Sequence, residues 1–301
     1  MRVLCATDLL PKSEAAIERA GLLSKQLDAE LSLLHVVSPE RSQPDLERTL
    51  ISAVERTRSR ARPLLWQAER TAEVAVRIGN PARIIAETAA QSGAGLVVLG
   101  AHSARPLRDV LEGTIAAKLL ASRKYPVLIV RDAERKPYRR VLLALDLSDA
   151  SASALRAAES LVLRPETEAV VVHAHNPPYR GMVSYADASQ ADGVRYLREW
   201  KRQAAHSVRG FLGQESADPE RYHVHIEQTH ATPGILQSVR HFAPDLLVIG
   251  THGGGRLRRA LVGSVANRVL HETTGDVLIV PQGSHGMSRA ERAGMEVKHV
   301  G

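Results

Sequence analysis

The 301-residue sequence predicts an α/β fold of two tandem domains, each a five-stranded parallel sheet with helices on both faces. Three observations carry this. Short, continuous aliphatic runs alternate with longer stretches of helical periodicity, the pattern of strands buried on both faces. That order of elements then repeats along the chain. Within the repeat, residues 100–130 lie on residues 250–280 at a constant offset of 150 without a gap, and twelve of the 31 aligned pairs are identical. Such self-similarity means two copies of one folding unit.

Residues 3–7 form a short apolar run ending at Asp8, and Ser13 is the expected cap of a helix over 14–28, where Ala16, Ala20, Leu23 and Leu27 recur at helical spacing. A buried strand over 31–37 closes at Ser38-Pro39. A long Arg-rich helix runs from Leu46 to about Arg70, striped by Leu50, Val54, Ala61, Leu64 and Leu65. Residues 73–78 form the third strand, and Gly79-Asn80-Pro81 turns into a helix through Ile84, Ile85 and Ala89. Then come a strand over 96–99, a loop, a helix over 114–122 and a strand over 127–130. The charged stretch 132–138 reads as a linker. The second copy follows: strands over 141–145, 169–175, 223–228, 246–249 and 277–280, with helices over 151–163, about 187–212 and 235–242. Asp8 and His35 match Asp146 and His173 at an offset of 138 rather than 150, so the second copy carries about 12 extra residues, expected around 177–190. The resulting domains are 1–134 and 138–282, with a polar tail over 284–301. Residues 127–130 and 277–280 are the expected edge strands at which the two domains meet around a pseudo-two-fold axis.

Composition narrows the function. Aromatics make up 3% of the chain, which argues against the stacking platforms of single-strand and RNA binders. The net charge of +7 reads as a solvated basic surface, because the arginines are scattered along helices apart from Arg256, Arg258 and Arg259. No nucleic-acid or membrane partner is expected. No apolar run approaches the roughly 20 residues of a membrane helix. Asp8 comes too early for the apolar region of a signal peptide, so a cytoplasmic location is expected. Cys5 is the only cysteine and sits in an apolar strand, where it reads as a small buried hydrophobe.

The chemistry gathers at C-terminal strand ends, where ligands of open parallel sheets bind. Gly250, Gly253 and Gly263 are spaced G-x2-G-x9-G after a strand and before a helix, and Ser264 follows directly. Glycines there let backbone amides approach an anion closely. The spacing matches neither a Walker A loop nor the dinucleotide G-x-G-x-x-G. Two strands ending in Asp, each with such a loop, resemble the universal stress protein family over about residues 1–281, as a tandem member whose two domains replace the two subunits of a homodimer.

The resemblance implies Rossmann-like domains that bind ATP or another adenine nucleotide, with Mg2+ beside the phosphates. By the same carry-over, Asp146 faces the adenine and ribose, Ala174 offers its backbone to adenine, and Gly250, Thr251, Gly253, Gly263, Ser264 and Val265 wrap ribose and phosphates; Ala144 and Gly254 complete the set. In the first domain Asp8, Val36, Gly100, Gly113 and Thr114 match, but Ser103 replaces the middle glycine and Arg105-Pro106 stiffens the loop. The second domain is therefore expected to be the better nucleotide site, with the first weakened or empty.

Other features weigh against sharper readings. His173 and His175 share one strand face, as do His223 and His225, so four imidazoles on neighbouring strands make zinc conceivable, although no carboxylate or cysteine completes a set. His102 and His252 occupy equivalent loop positions and either donate to phosphate or hold the loop. Paired-carboxylate, nucleophile-elbow and metal-triad motifs are missing, so catalysis is limited at most to slow ATP hydrolysis or phosphorylation at Ser264 or Thr114. The expected function is a nucleotide-responsive stress regulator with an unidentified protein partner and a possible homodimer. The alternative is an interaction scaffold whose nucleotide sites have decayed.

Overall fold

A computed structural model describes residues 1–37, 46–67, 69, 71–101, 115–122, 124–131, 136–176, 190–251 and 263–283. The first half runs β1 (Arg2–Thr7), α1 (Pro11–Gln26), β2 (Glu30–Val37), α2 (Leu46–Gln67), β3 (Glu73–Ile78), α3 (Pro81–Ser92), β4 (Ala94–Gly100), α4 (Ile115–Ala121) and β5 (Val127–Val130). The second runs β6 (Arg140–Ala144), α5 (Asp149–Leu161), β7 (Glu168–Ala174), α6 (Gln190–Glu215), β8 (Tyr222–Glu227), α7 (Ala231–Phe242), β9 (Leu246–Gly250), α8 (Ser264–Glu272) and β10 (Asp276–Val280). A 3-10 turn at Pro219–Arg221 leads into β8.

The strands do not form two separate sheets. They make one ten-stranded sheet in the order β3-β2-β1-β4-β5-β10-β9-β6-β7-β8. Within each half every described pairing is parallel, and the one join, β5 to β10, is antiparallel. Leu128 pairs with Leu278, its own counterpart at the 150 offset, flanked by Ile129–Val277 and Val127–Ile279. The pseudo-two-fold axis therefore passes through this leucine pair. Joining two edges in this way also covers the unpaired backbone that each would otherwise expose.

Alternate strand residues feed two cores, because successive side chains point to opposite faces. Val3, Cys5, Leu33, Val98, Val141 and Val171 pack under α1, α2, α5 and α6. Leu4, Leu34, Val97, Leu142 and Val172 pack under α3, α4, α7 and α8. Most of the strand interior is closed to solvent, as expected for runs without polar alternation.

One local expectation is corrected. Ser13 is not the cap of α1, which starts at Pro11 with Leu10 in the capping position and no side-chain cap bond. Proline suits the first helical turn because its missing N–H would be unpaired there anyway. Ser13 instead lies inside that turn, its hydroxyl 2.8 Å from that of Thr7 and donating to the Leu10 carbonyl at 2.8 Å. In the second half Ser148 does cap α5, accepting from the Ser151 amide at 3.3 Å.

The seam carries a buried polar network. Asp276, 1% exposed, accepts from the Arg131 amide at 2.8 Å and the Tyr138 hydroxyl at 2.7 Å, and pairs with Arg19 Nε at 3.4 Å. The Arg19 guanidinium lies 4.1 Å above the Tyr138 ring and donates to the Lys136 carbonyl at 2.6 Å. Arg131 donates to the carbonyls of Leu270 and Thr273, where α8 ends and cations are favoured. At the equivalent positions the repeat holds Pro126 for Asp276 and Ala157 for Arg19, so the network stands on one side of the axis only.

Candidate functional site

The chain leaves β6 for β7 on one side and returns through β9 to pair with β6 on the other. This is a topological switch point, where strand ends diverge and leave a crevice. β1 occupies the same place between β2 and β4. Asp146 follows β6, Asp8 follows β1, and Gly250 and Gly100 end β9 and β4. Each half thus puts its aspartate and its first loop glycine on adjacent strands at the mouth of one crevice.

The residues after each aspartate share an unusual backbone. Leu9 has φ 63° and Leu147 φ 65°, a left-handed conformation that costs a branched residue energy. Its recurrence at matched positions shows that both halves use it to turn the chain sharply from strand to helix. Nothing in the residue type signals it, since glycine or asparagine is the usual choice there.

Each aspartate accepts from the backbone amide two residues further on. Asp8 Oδ1 accepts from the Leu10 amide at 2.9 Å. Asp146 Oδ1 accepts from the Ser148 amide at 3.1 Å, the Ser148 hydroxyl, and the Ser151 hydroxyl at 2.7 Å. Ser151 is buried and also accepts from the Asp146 amide at 2.8 Å. The carboxylate is exposed, yet one of its oxygens is fixed by two serines, while Oδ2 takes no hydrogen bond among the described residues. One side chain therefore fixes the turn through Oδ1 and keeps Oδ2 open at the strand end. Ser151 was not picked out from the sequence, although its match to Ser13 at the 138 offset was available as a signal.

Around the glycines, Thr251 is 1% exposed; its amide donates to Val280 at 3.0 Å, and its carbonyl accepts from the Gly263 amide at 2.7 Å. That last bond closes the base of the loop. Gly263 caps α8, Ser264 opens it with an exposed side chain, and Val265 is half-buried behind it. The first turn of a helix leaves amides without intrahelical acceptors. At Gly250 a Cβ would meet the Ala150 carbonyl oxygen at 2.8 Å, so the glycine admits the start of α5 against β9. Ala144 and Ala174 end β6 and β7, and Val36 is the penultimate residue of β2. Gly253, Gly254, Ser103, Gly113 and Thr114 lie outside the described residues, as do His102, His252, the loop arginines, 132–135 and the tail.

The register does not bring the four imidazoles of the conceivable zinc set onto one face. Val170 pairs with His223 and Val172 with His225, so both β8 imidazoles stand on the face of Val170 and Val172. His173 pairs with Ile226 on the opposite face, beside Val171. Among the described residues no group of three or more His, Cys, Asp or Glu could hold a metal ion. Instead, His173 Nδ1 lies 2.8 Å from the Leu145 carbonyl, and His35 Nδ1 lies 2.9 Å from that of Thr7. Each ring ties its strand to the residue before the site aspartate. Burial holds the His173 pKa below the usual imidazole value, against the opposing pull of the Leu145 bond.

The universal stress protein family model matches residues 1–131 and again 137–281, which together are most of the chain. The chain belongs to the universal stress protein family. A universal stress protein of Mycolicibacterium smegmatis is 24% identical over 293 residues, 92% of this chain and 96% of that one. One from Methanocaldococcus jannaschii is 28% identical over 167 residues, 54% of this chain and 94% of its own length. In three dimensions, a universal stress protein from Archaeoglobus fulgidus superposes with a TM-score of 0.68 at 20% identity, covering 94% of this chain and 96% of that one. The Rossmann-like fold and its tandem use are thereby those of the universal stress proteins. No helix among the described residues is long and apolar enough to cross a membrane.

Proposed function

We propose that this tandem universal stress protein binds an adenine nucleotide, ATP foremost, in the crevice of its second half, and acts as a nucleotide-responsive regulator. The observation that carries the reading is the state of Asp146. Its Oδ1 is fixed by Ser148 and Ser151, and its Oδ2 is left to accept from a ribose hydroxyl or the adenine amino group. The exposed Ser264 and the first amides of α8 suit phosphate oxygens, since a helix N-terminus attracts anions. Mg2+ would accompany the phosphates and offset their charge. The first half has the same strand ends, but Leu10 stands where the second has Ser148, and the loop carries Ser103 where the second has Gly253.

The test is to identify any nucleotide released when purified protein is denatured, and then to titrate ATP into wild type and Gly253→Val. Released adenine nucleotide, with binding weakened about tenfold or more in the variant, is the expected result. No released nucleotide and equally weak titrations in both proteins would favour an interaction scaffold instead.

A further inference from the structure

We propose that the groove wrapped around the free edge of β8 is a second binding site, separate from the nucleotide crevice, for a small polyanion bearing phosphate or carboxylate groups. The groove has a volume of about 740 Å3, ample for a small metabolite. Lys201 reaches it from α6, and Gln237, Arg240 and His241 from α7, on either side of the strand end that carries His225, Glu227 and Gln228. β8 is the last strand of the sheet among the described residues.

The charge balance favours an anion. Two fixed cations, Lys201 and Arg240, and two imidazoles face one carboxylate. That carboxylate is already engaged: Glu227 Oε1 lies 3.0 Å from His225 Nε2 and accepts from the Ser238 hydroxyl at 3.1 Å. Neither Lys201 nor Arg240 forms an ion pair among the described residues. His225 stands against Phe242 and His241, with ring centroids 5.1 and 6.1 Å away, which fixes the imidazole in the groove wall.

Comparison with the first half shows that the fold does not require these groups. At the 150 offset, His225, Gln228, Arg240 and His241 correspond to Ala75, Ile78, Ala90 and Gln91, and Gln237 corresponds to Glu87. The register supports the alignment, since His35 pairs with Val76 as His173 pairs with Ile226. The first half carries Arg77 where the second has Glu227, and folds the same strand and helix without the two imidazoles and without a cation at the position of Arg240, so the fold does not require them. Glu227 pairs with Ala174 at the end of β7, so the groove borders the crevice, but none of its lining residues belongs to the nucleotide set.

The test is isothermal titration of the full chain with inorganic pyrophosphate and, separately, citrate. Wild type and a control, Arg198→Ala/Arg202→Ala, should bind one of the two saturably at one per chain. Lys201→Ala/Arg240→Ala should bind at least tenfold more weakly. Gln237→Glu, which places in the groove the charge that Glu87 already carries in the first half, should do the same. Binding should persist in Asp146→Ala. Preference for pyrophosphate or citrate assigns phosphate or carboxylate as the recognised group. The proposal is overturned if wild type binds neither probe, if the control weakens binding as much as the groove variants, or if Asp146→Ala abolishes binding.

Discussion

At the scale of single residues, His173 shows how a side chain near the site serves the fold. Its ring ties β7 to Leu145, one residue before Asp146, and burial lowers its pKa from the ordinary 6.5. A group whose folded pKa is depressed contributes its full share of stability above its unfolded value and loses it as pH falls through the folded one. Chemical denaturation should therefore show stability declining below about pH 6.5. His173→Gln should flatten that decline relative to wild type, and an unchanged slope would refute this role. The histidine pattern was visible in the sequence, and its meaning was not. Two imidazoles at i and i+2 share a face, but which face depends on the register of β7 against β8, which spacing alone does not set. The left-handed Leu9 and Leu147 were equally hidden, because only the surrounding packing holds leucine there. Asp146 itself was legible, because a strand-ending aspartate recurs at a matched position in both halves.

At the scale of elements, the strands were the most legible part of the chain. Runs such as residues 246–249 and 277–280 are aliphatic throughout, and burial on both faces follows. Helix starts were less so: Ser13 looked like a cap, whereas Pro11 two residues earlier set the start of α1. The internal repeat supplies a controlled experiment on helix ends. α3 ends on Gly93 with φ 62°, and α7 ends at the matched position on Ala243 with φ 43°, both left-handed. Glycine adopts that conformation without a Cβ penalty. Ala243→Gly should accordingly stabilise the protein by about 0.5–1 kcal/mol, read as a raised denaturation midpoint. A lowered midpoint would contradict the account of this cap.

At the scale of the whole molecule, the β5–β10 join makes one sheet of two domains, and the Asp276 network pins one side of it. Arg19 and Asp276 have side chains 4% and 1% exposed. Removing one partner of a buried ion pair strands the other, at a cost of about 3–5 kcal/mol. Asp276→Ala should lower stability by about that amount, and a loss below about 1 kcal/mol would place the strength of the seam in the β5–β10 pairing and its apolar neighbours instead. The edge strands that meet were foreseeable from the repeat. The network was not, because Asp276 and Arg19 have no counterparts in the other copy and lie far apart in sequence.

The same asymmetry runs through the candidate sites. In the second half Ser148 and Ser151 hold the aspartate and all three loop glycines are present, whereas the first has Leu10 in place of Ser148 and Ser103 in place of Gly253. ATP titrated into wild type, Asp8→Ala and Asp146→Ala tests this most directly. Hydrogen bonds to a carboxylate contribute about 1.5–3 kcal/mol, so Asp146→Ala should weaken binding about tenfold or more while Asp8→Ala binds as wild type does. Equal affinity in all three proteins, or loss confined to Asp8→Ala, would contradict a nucleotide site in the second half.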